Sequence, residues 1–248
     1  MLPFNALSNG QKFRAEIARI VLQTKPGDIA MVDEFTSVVD REVAKTCSFA
    51  VQKMVRRSGK KLVAISCHYD IVDHLLPDWI YHVDTGEFEI TRGKLRRPPI
   101  EITLLRVHHS AWELFKGHHY LSANINTSAH CFVGLMNGVP VAFAASLPQP
   151  HQTAKNIWKG HRTVVLPDYQ GVGIGNAVSE AVAQYHLDQG KRYRSVTSHP
   201  AMVAHRIRSK KWIMVRGPSM VPPNGKNGKL KSASNRMTAS FEYIGDKK

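Results

Sequence analysis

Two apolar runs in the middle of the chain, residues 131–136 and 139–144, flank the dipeptide Asn137-Gly138. An Asn-Gly pair between two such runs predicts a β-hairpin. Residues 163–166 are strand-like, and apolar positions at helical spacing over 176–189 predict a helix that ends at Gly190. A strand at 194–197 and a helix from Pro200 to about Lys211 are expected next. This pattern predicts an α/β domain that contains an antiparallel hairpin.

The beginning of the chain has a separate helical and strand pattern. A helix is predicted to about Gln23, with its apolar side formed by Phe13, Ile17, Ile20 and Val21. An apolar strand then ends at Asp33-Glu34, and a further strand at 62–66 runs to Cys67-His68. The pattern stops at Arg96-Arg97-Pro98-Pro99 and restarts beyond it. We therefore predict two modules, residues 1–97 and 100–248.

A glycine-rich segment, Gln170-Gly171-Val172-Gly173-Ile174-Gly175, joins the predicted strand at 163–166 to the helix that follows. Glycines let the backbone approach an anion closely, and the start of a helix adds partial positive charge. The segment is not G-x-G-x-x-G, and no Gly-Lys-Ser/Thr follows it, so a Rossmann site and a P-loop both fit poorly. A phosphorylated ligand is expected here, while a glycine turn that binds nothing is the alternative.

Gln-x-x-Gly-x-Gly after a strand ending in Leu-Pro resembles the acyl-CoA-binding motif of the GNAT acetyltransferase superfamily. The resemblance covers about residues 100–215 and implies a mixed, mainly antiparallel sheet flanked by helices. It also implies that backbone amides hold the pyrophosphate of acetyl-CoA, or of another acyl-CoA, and that the preceding strand splays from its neighbour to admit the pantetheine arm. The implied cofactor-binding residues are Leu166, Gln170, Gly171, Gly173, Gly175 and Asn176.

The residues expected to transfer protons are less well defined. Many GNAT enzymes use a tyrosine in the helix after the fifth strand, but the helix from Pro200 contains none. His199, His205 and Tyr120 are the candidates by residue type. Each is also compatible with a structural role, and catalysis mainly by positioning would need no such acid.

The first module resembles the later part of an ABC-type ATPase domain. Four features occur in the order typical of that family: the signature-like segment Leu7-Ser8-Asn9-Gly10-Gln11, the acidic strand end Asp33-Glu34, the loop Ser37-Val38-Val39-Asp40, and His68. The resemblance implies that Ser8 and Gly10 contact the nucleotide of a partner subunit. It also implies that Asp33 holds Mg²⁺ through water, that Glu34 orients the attacking water, and that His68 senses the γ-phosphate. Gln11 and Asp40 belong to the same motif set.

The sequence departs from that family because it contains no G-x-x-x-x-G-K-[ST], and only six residues precede Leu7. A gene fragment, a split gene with a separately encoded P-loop half, or an internal start would each explain this. ATP hydrolysis by the chain alone is not expected, and Mg-ATP would bind only if a partner supplied a P-loop. Apolar surface of the first module is expected to be exposed.

Positive charge is concentrated in the second module. Residues 1–99 carry 15 Lys/Arg and 12 Asp/Glu, whereas residues 100–248 carry 19 and 7, so the net +15 divides into +3 and +12. Arg206, Arg208, Lys210 and Lys211 are candidate contacts to nucleic acid. A solvated basic face, or one that attracts the phosphates of CoA, is the alternative.

Three cysteines without C-x-x-C spacing suit a reducing cytoplasm. The apolar runs are too short and too interrupted to cross a membrane, so no membrane association is expected. A metal site is not expected at the His108-His109 or His118-His119 pairs. Together the patterns predict an acyl-CoA-dependent N-acyltransferase, with nucleic-acid modification, as by some phage proteins, suggested by analogy. The alternative is a non-catalytic module that binds nucleic acid or a partner ATPase.

Overall fold

The computed structural model describes residues 3–25, 27–119, 124–150, 156–220 and 237–246. The chain divides into two compact units. The first unit comprises Met1–Ile100 and Pro167–Val172, and the second comprises Glu101–Leu166 and Gly173–Lys248.

The helices and strands are numbered along the chain. The α-helices are α1 (Asn9–Gln23), α2 (Arg41–Ser58), α3 (Val72–Leu75), α4 (Ile174–Leu187) and α5 (Pro200–Arg208). The strands of the first unit are β1 (Ile29–Val32), β2 (Lys61–Ala64), β3 (Trp79–His82) and β4 (Glu87–Ile90). Those of the second are β5 (Thr103–Val107), β6 (His130–Met136), β7 (Val139–Pro148), β8 (Ile157–Val165), β9 (Arg192–Thr197), β10 (Trp212–Met220) and β11 (Met237–Tyr243). Short 3-10 segments include His109–Leu114, Lys116–His118 and Pro167–Tyr169.

Both long helices of the first unit begin at residues that satisfy free backbone N–H groups. Ser8 forms a capping box with Gln11, in which the Ser8 hydroxyl accepts from Gln11 N (3.3 Å) and Gln11 Oε1 accepts from Ser8 N (3.0 Å). The carboxylate of Asp40 accepts from Glu42 N and Val43 N at the start of α2. These polar residues therefore have a structural role as helix caps.

The first unit packs one face of a two-stranded parallel sheet, β1 and β2, against its long helices. Ala30 and Val32 face this core, whereas Ile29 and Met31 on the other face are 53% and 64% exposed. Parallel sheets are nearly always covered on both faces. The outer face of β1 is therefore unusually exposed to solvent for a parallel strand.

A second apolar surface of this unit lies on the antiparallel hairpin of β3 and β4. The register pairs Trp79 with Ile90 and Tyr81 with Phe88, so these four side chains share one face. All four are more than two-fifths exposed. The expected exposure of apolar surface in the first module is thus observed in this unit.

The second unit is built on a seven-stranded sheet with the order β10-β11-β9-β8-β7-β6-β5. Every neighbouring pair is antiparallel except β8 and β9, which are parallel and joined through α4. The hairpin predicted at Asn137-Gly138 is confirmed, since both residues have positive φ (51° and 79°) between β6 and β7. The prediction of a mixed, mainly antiparallel sheet is likewise confirmed.

Different side chains cover the two faces of this sheet. On one face, Trp112 and Phe115 from the 3-10 segment and the turn after it pack with Phe143 and Val164. On the other face, α4 packs through Val178 and Val182, and its His186 is wholly buried. The His186 ring stacks on Trp158 of β8 at 4.4 Å between centroids, and its Nε2 atom lies 2.7 Å from Ser146 Oγ.

This buried histidine makes the stability of the fold depend on pH. Burial, helped by nearby His130, Lys191 and Arg106, lowers the pKa of His186 from 6.5 to about 4. The unfolded chain then binds more protons than the folded chain between these two values. We expect the free energy of unfolding to fall by up to about 3 kcal/mol as pH drops from 6.5 to 4.

Urea unfolding between pH 4 and pH 8 measures this dependence. A His186→Gln variant should be less stable at pH 7 but show a flatter pH profile, whereas exposed His199→Gln should retain the wild-type profile. A His186→Gln profile as steep as that of wild type would contradict the assignment.

Among the described residues, no helix is long and apolar enough to cross a membrane. In the same part of the chain, no three His, Cys, Asp or Glu side chains group in a way that could hold a metal ion.

Candidate functional site

The two parallel strands at the centre of the second unit separate soon after they begin to pair. Their register runs only from Ile157 opposite Arg192 to Lys159 opposite Arg194, although β8 continues to Val165 and β9 to Thr197. Beyond this point the strands open into a wedge. The backbone groups that line a wedge between diverging strands are available to a bound molecule.

Gly160 lies where the wedge begins and has a steric reason to be glycine. A Cβ atom there would lie 2.9 Å from the hydroxyl oxygen of Tyr193 and 3.4 Å from Ser195 Oγ. Tyr193 is buried, and burial raises the pKa of its hydroxyl to about 12. The tyrosine therefore stays neutral. Its hydroxyl occupies the space beside β8 that a side chain at position 160 would need.

Gly173 caps the N-terminus of α4 and has a φ of 108°, a conformation that side-chain-bearing residues rarely adopt. No side-chain hydrogen bond from the described residues caps this helix, and a Cβ at Gly173 would meet nothing within 4 Å. The first N–H groups of a helix have no acceptor within it. The start of α4 thus offers open backbone donors and partial positive charge to an anion.

The other residues of the glycine segment are arranged as follows. Gly175 lies against β8, since a Cβ there would be 3.3 Å from Val165 Cγ2. Asn176 donates its backbone N–H to Gly173 O (3.1 Å), while its side-chain Oδ1 is enclosed and has no partner among the described residues. Leu166 donates its N–H to Val141 O (2.9 Å) and continues β8 toward the turn.

Gln170 and Gly171 belong to the first compact unit. Gln170 donates its backbone N–H to Pro167 O (3.3 Å). Gly171 has a φ of 86°, and a Cβ there would be 3.6 Å from Ala50 Cβ. The close approach of helix α2 therefore gives Gly171 a packing role in that unit.

Of the three residues expected to transfer protons, two are described. His199 is exposed immediately before α5, and its backbone N–H donates to Thr197 Oγ1 (3.1 Å). His205 is engaged with Glu180, its Nε2 atom 2.8 Å from Oε1, and the same oxygen accepts from Trp212 Nε1. Tyr120 lies outside the described residues. His199 is thus the more accessible of the two described histidines.

The pattern of residue types did not single out His161, which the structure places at a β-bulge. In the β7–β8 ladder, Ala145 pairs with Arg162 and Ser146 with Gly160, so His161 is the additional residue. Bulges bend a strand and redirect a side chain, and they are frequent next to active sites. A bulge depends on pairing between distant strands, so no local sequence signal could have located it.

The predicted basic surface needs a correction at Arg206. This side chain is 2% exposed, donates to Ser195 Oγ and Ser179 Oγ at 3.0 Å each, and lies over the Trp212 ring. Burial lowers its pKa to about 10. Arg206 is a core residue and cannot meet phosphates at the surface. Of the other three, Arg208 and Lys210 are exposed, and Lys211 pairs with Asp246 (3.1 Å).

The topology brings the acidic and histidine motifs of the first unit to one edge. Because β1 and β2 are parallel with Val32 opposite Ala64, Asp33-Glu34 and Cys67-His68 both follow the carboxyl ends of neighbouring strands. Glu34 and Thr36 have positive φ (49° and 71°), which is strained for residues other than glycine. Gly10 lies within α1, where a Cβ would be 3.7 Å from Val39.

Residues 99–206 match the family described as the Acetyltransferase (GNAT) family. No curated protein sequence matches the chain significantly.

Similar solved structures include the ribosomal-protein-S18-alanine N-acetyltransferase from Escherichia coli, which is 17% identical with a TM-score of 0.42 over 60% of this chain and 97% of that one. The IAA acetyltransferase from Bacillus cereus is 13% identical with a TM-score of 0.40 over 58% and 99%. A Salmonella typhimurium structure with its cofactor acetyl-CoA is 13% identical with a TM-score of 0.42 over 58% and 93%. The family match is confined to residues 99–206, and it is this segment of the chain that is similar to GNAT acetyltransferases.

Proposed function

We propose that the second unit is an acetyl-CoA-dependent N-acetyltransferase. The observation that carries the proposal is the combination, in one unit, of the wedge between β8 and β9 with the uncapped start of α4 at Gly173. The wedge leaves backbone groups for a narrow, extended arm, and the helix start suits a pyrophosphate. GNAT acetyltransferases are acetyl-CoA-dependent enzymes, and these features fit that ligand.

In this proposal, backbone N–H groups at Gly173, Ile174 and Gly175 hold the pyrophosphate, and β8 beyond Lys159 lies along the pantetheine arm. The bound thioester supplies an activated acetyl group. An acceptor amine forms the new N–C bond as the C–S bond breaks, so the amine loses a proton and the thiolate gains one. Positioning of the amine against the thioester is the main contribution expected from the protein.

His199 and Tyr120 are the two groups proposed for the proton transfers. His199 is exposed and follows the open end of β9, so it can exchange protons with solvent. Tyr120 remains a candidate on residue type alone. His205 is the weakest candidate because Glu180 already engages its Nε2 atom. A pH–rate profile of His199→Gln that retains the wild-type shape would remove His199 from the mechanism.

A nucleic-acid acceptor is a second proposal for the same unit, supported by the exposure of Arg208 and Lys210. If these cations meet phosphates, affinity for a short DNA or RNA fragment should fall steeply with salt. Replacing both by Ala should reduce the salt slope by about one unit for each lost contact. A titration without binding at low salt would contradict this proposal and leave acetyl-CoA binding untouched.

For the first unit we propose a role as the partner of a separately encoded P-loop half. The exposed outer face of β1 and the exposed aromatic face of the β3–β4 hairpin favour this, because a partner that packed on these apolar faces would cover them. Asp33, Glu34 and His68 would then face the nucleotide, while Ser8, Gln11 and Asp40 keep their roles as caps.

This proposal predicts that the chain alone does not hydrolyse ATP. Without a phosphate-binding loop and its lysine, Asp33 and Glu34 have no positioned γ-phosphate to act on. Phosphate release by purified protein with Mg-ATP should equal that of a Glu34→Gln control. Hydrolysis that depends on Glu34 in the absence of any partner would overturn the need for a second chain.

A further inference from the structure

A cleft of about 380 Å³ opens where β8 leaves β9, on the sheet face opposite α4. Trp158 packs on His186 of α4, so the next residue, Lys159, points to the opposite face, beside its register partner Arg194. The cleft is lined by Leu147, Pro148, Gln149, Pro150, Lys159, Gly160, His161, Arg162 and Val196. This position places it next to the wedge where the thioester of the proposed cofactor would end.

The charged residues that line the cleft are all basic. Lys159 is exposed, and Arg162 is held in place by bonds from its guanidinium to His161 O (3.1 Å) and Asn124 O (3.4 Å). No Asp or Glu is among the lining residues that the structure describes. A cleft lined by charges of one sign concentrates ligands of the opposite sign.

The carboxylate on the same sheet face does not neutralise this charge. Glu242 of β11 is bound by Arg192 (2.6 Å) and by Arg194 (3.0 Å), so two guanidinium groups share one carboxylate. These partners lower the pKa of Glu242. The group as a whole carries one further positive charge beside the cleft.

His161 lies in the wall of the cleft and is neutral, so it adds no negative charge there. Its Nδ1 atom lies 3.4 Å from Arg162 Nη1, and a guanidinium can only donate, so the ring proton belongs on Nε2. Nε2 is enclosed and has no acceptor among the described residues. Burial, with Arg162, His119 and Lys159 nearby, lowers the pKa of His161 to about 4, as expected in positive surroundings.

We propose that this cleft binds an anionic group, a carboxylate or a phosphate, that the acceptor carries close to the amine to be acetylated. Lys159 and Arg162 supply the charge that attracts the anionic oxygens. The volume lies near the lower end of the range for ligand pockets, so the cleft has room for a small polar group. This inference rests on the proposed acetyltransferase function and narrows its acceptor to amines with a neighbouring negative charge.

Matched pairs of acceptors test the inference. Free amino acids are compared with their amides, and O-phosphoethanolamine is compared with ethanolamine, using full-length protein and acetyl-CoA. We expect kcat/KM to favour the anionic member of a pair by about tenfold or more, as for one well-placed charge contact. The amino-acid pairs report a carboxylate and the phosphoamine pair reports a phosphate.

Lys159→Met should remove most of this preference, mainly by raising KM for the anionic member while the neutral member is unaffected. Lys25→Met, which removes an exposed lysine from the first unit, should retain the wild-type preference. Equal use of both members by wild type, or a preference that survives Lys159→Met, would overturn the inference.

Titration of acetyl-CoA into the same proteins separates this inference from the proposed function. Failure of wild type to bind acetyl-CoA would remove both, whereas intact binding without a charge preference would remove the acceptor assignment alone. If no pair is acetylated, the pairs are titrated into the protein–CoA complex. Binding of the anionic member that is no tighter than that of the neutral member then contradicts the inference.

Discussion

Replacing Gly173 by Asp is expected to weaken acetyl-CoA binding by a hundredfold or more. A negative charge roughly 4 Å from the pyrophosphate opposes binding by about 1–4 kcal/mol, depending on the local dielectric. The φ of 108° adds backbone strain of about 1–3 kcal/mol for any side-chain-bearing residue, which would displace the turn. Calorimetric titration of acetyl-CoA into wild type and Gly173→Asp measures the difference.

Two control variants separate charge from strain. Gly173→Asn has nearly the same shape as the aspartate without its charge, so it should bind more tightly than Gly173→Asp. Gly190→Asp introduces the same residue at another glycine with positive φ (69°) and open space, just beyond the other end of α4. It should bind acetyl-CoA like wild type. Equal affinity of Gly173→Asp and wild type would contradict the placement of the pyrophosphate.

Arg206→Ala is expected to destabilise the second unit by about 3–5 kcal/mol. The substitution leaves a large cavity beside Trp212 and removes the donors to Ser179 and Ser195. Arg208 lies two residues further along α5 and is exposed, so Arg208→Ala is the matched control. It should change stability by less than about 0.5 kcal/mol. Chemical unfolding followed by circular dichroism measures both.

A stability change as small for Arg206→Ala as for Arg208→Ala would contradict the burial of Arg206. It would also restore that residue to the basic surface that the charge pattern predicted. The two arginines lie on one helix, so only their burial distinguishes them.

Local patterns were sufficient to predict much of the second unit. Asn137-Gly138 specified its hairpin because few other residue pairs adopt two successive positive φ angles. The glycine segment specified a strand-to-helix turn because Gly173 needs a conformation that other residues avoid. In both cases the chemistry of neighbouring residues determines the conformation, so no tertiary information was required.

Features that depend on distant contacts could not be predicted in this way. The steric requirement for glycine at position 160 depends on Tyr193, and the bulge at His161 depends on the register with β7. Charge alone made Arg206 resemble its surface neighbours, because the hydroxyls of Ser179 and Ser195 that accept its hydrogen bonds come from other elements. The motif order of the first module remains a prediction of its ancestry, although its helix caps and parallel strands are now described.

We propose above that the second unit binds acetyl-CoA through the start of α4 and the wedge beside β8. Calorimetric titration of acetyl-CoA into the wild-type chain tests it most directly. We expect saturable binding that Gly173→Asp weakens by a hundredfold or more. The absence of detectable binding at millimolar acetyl-CoA would contradict it.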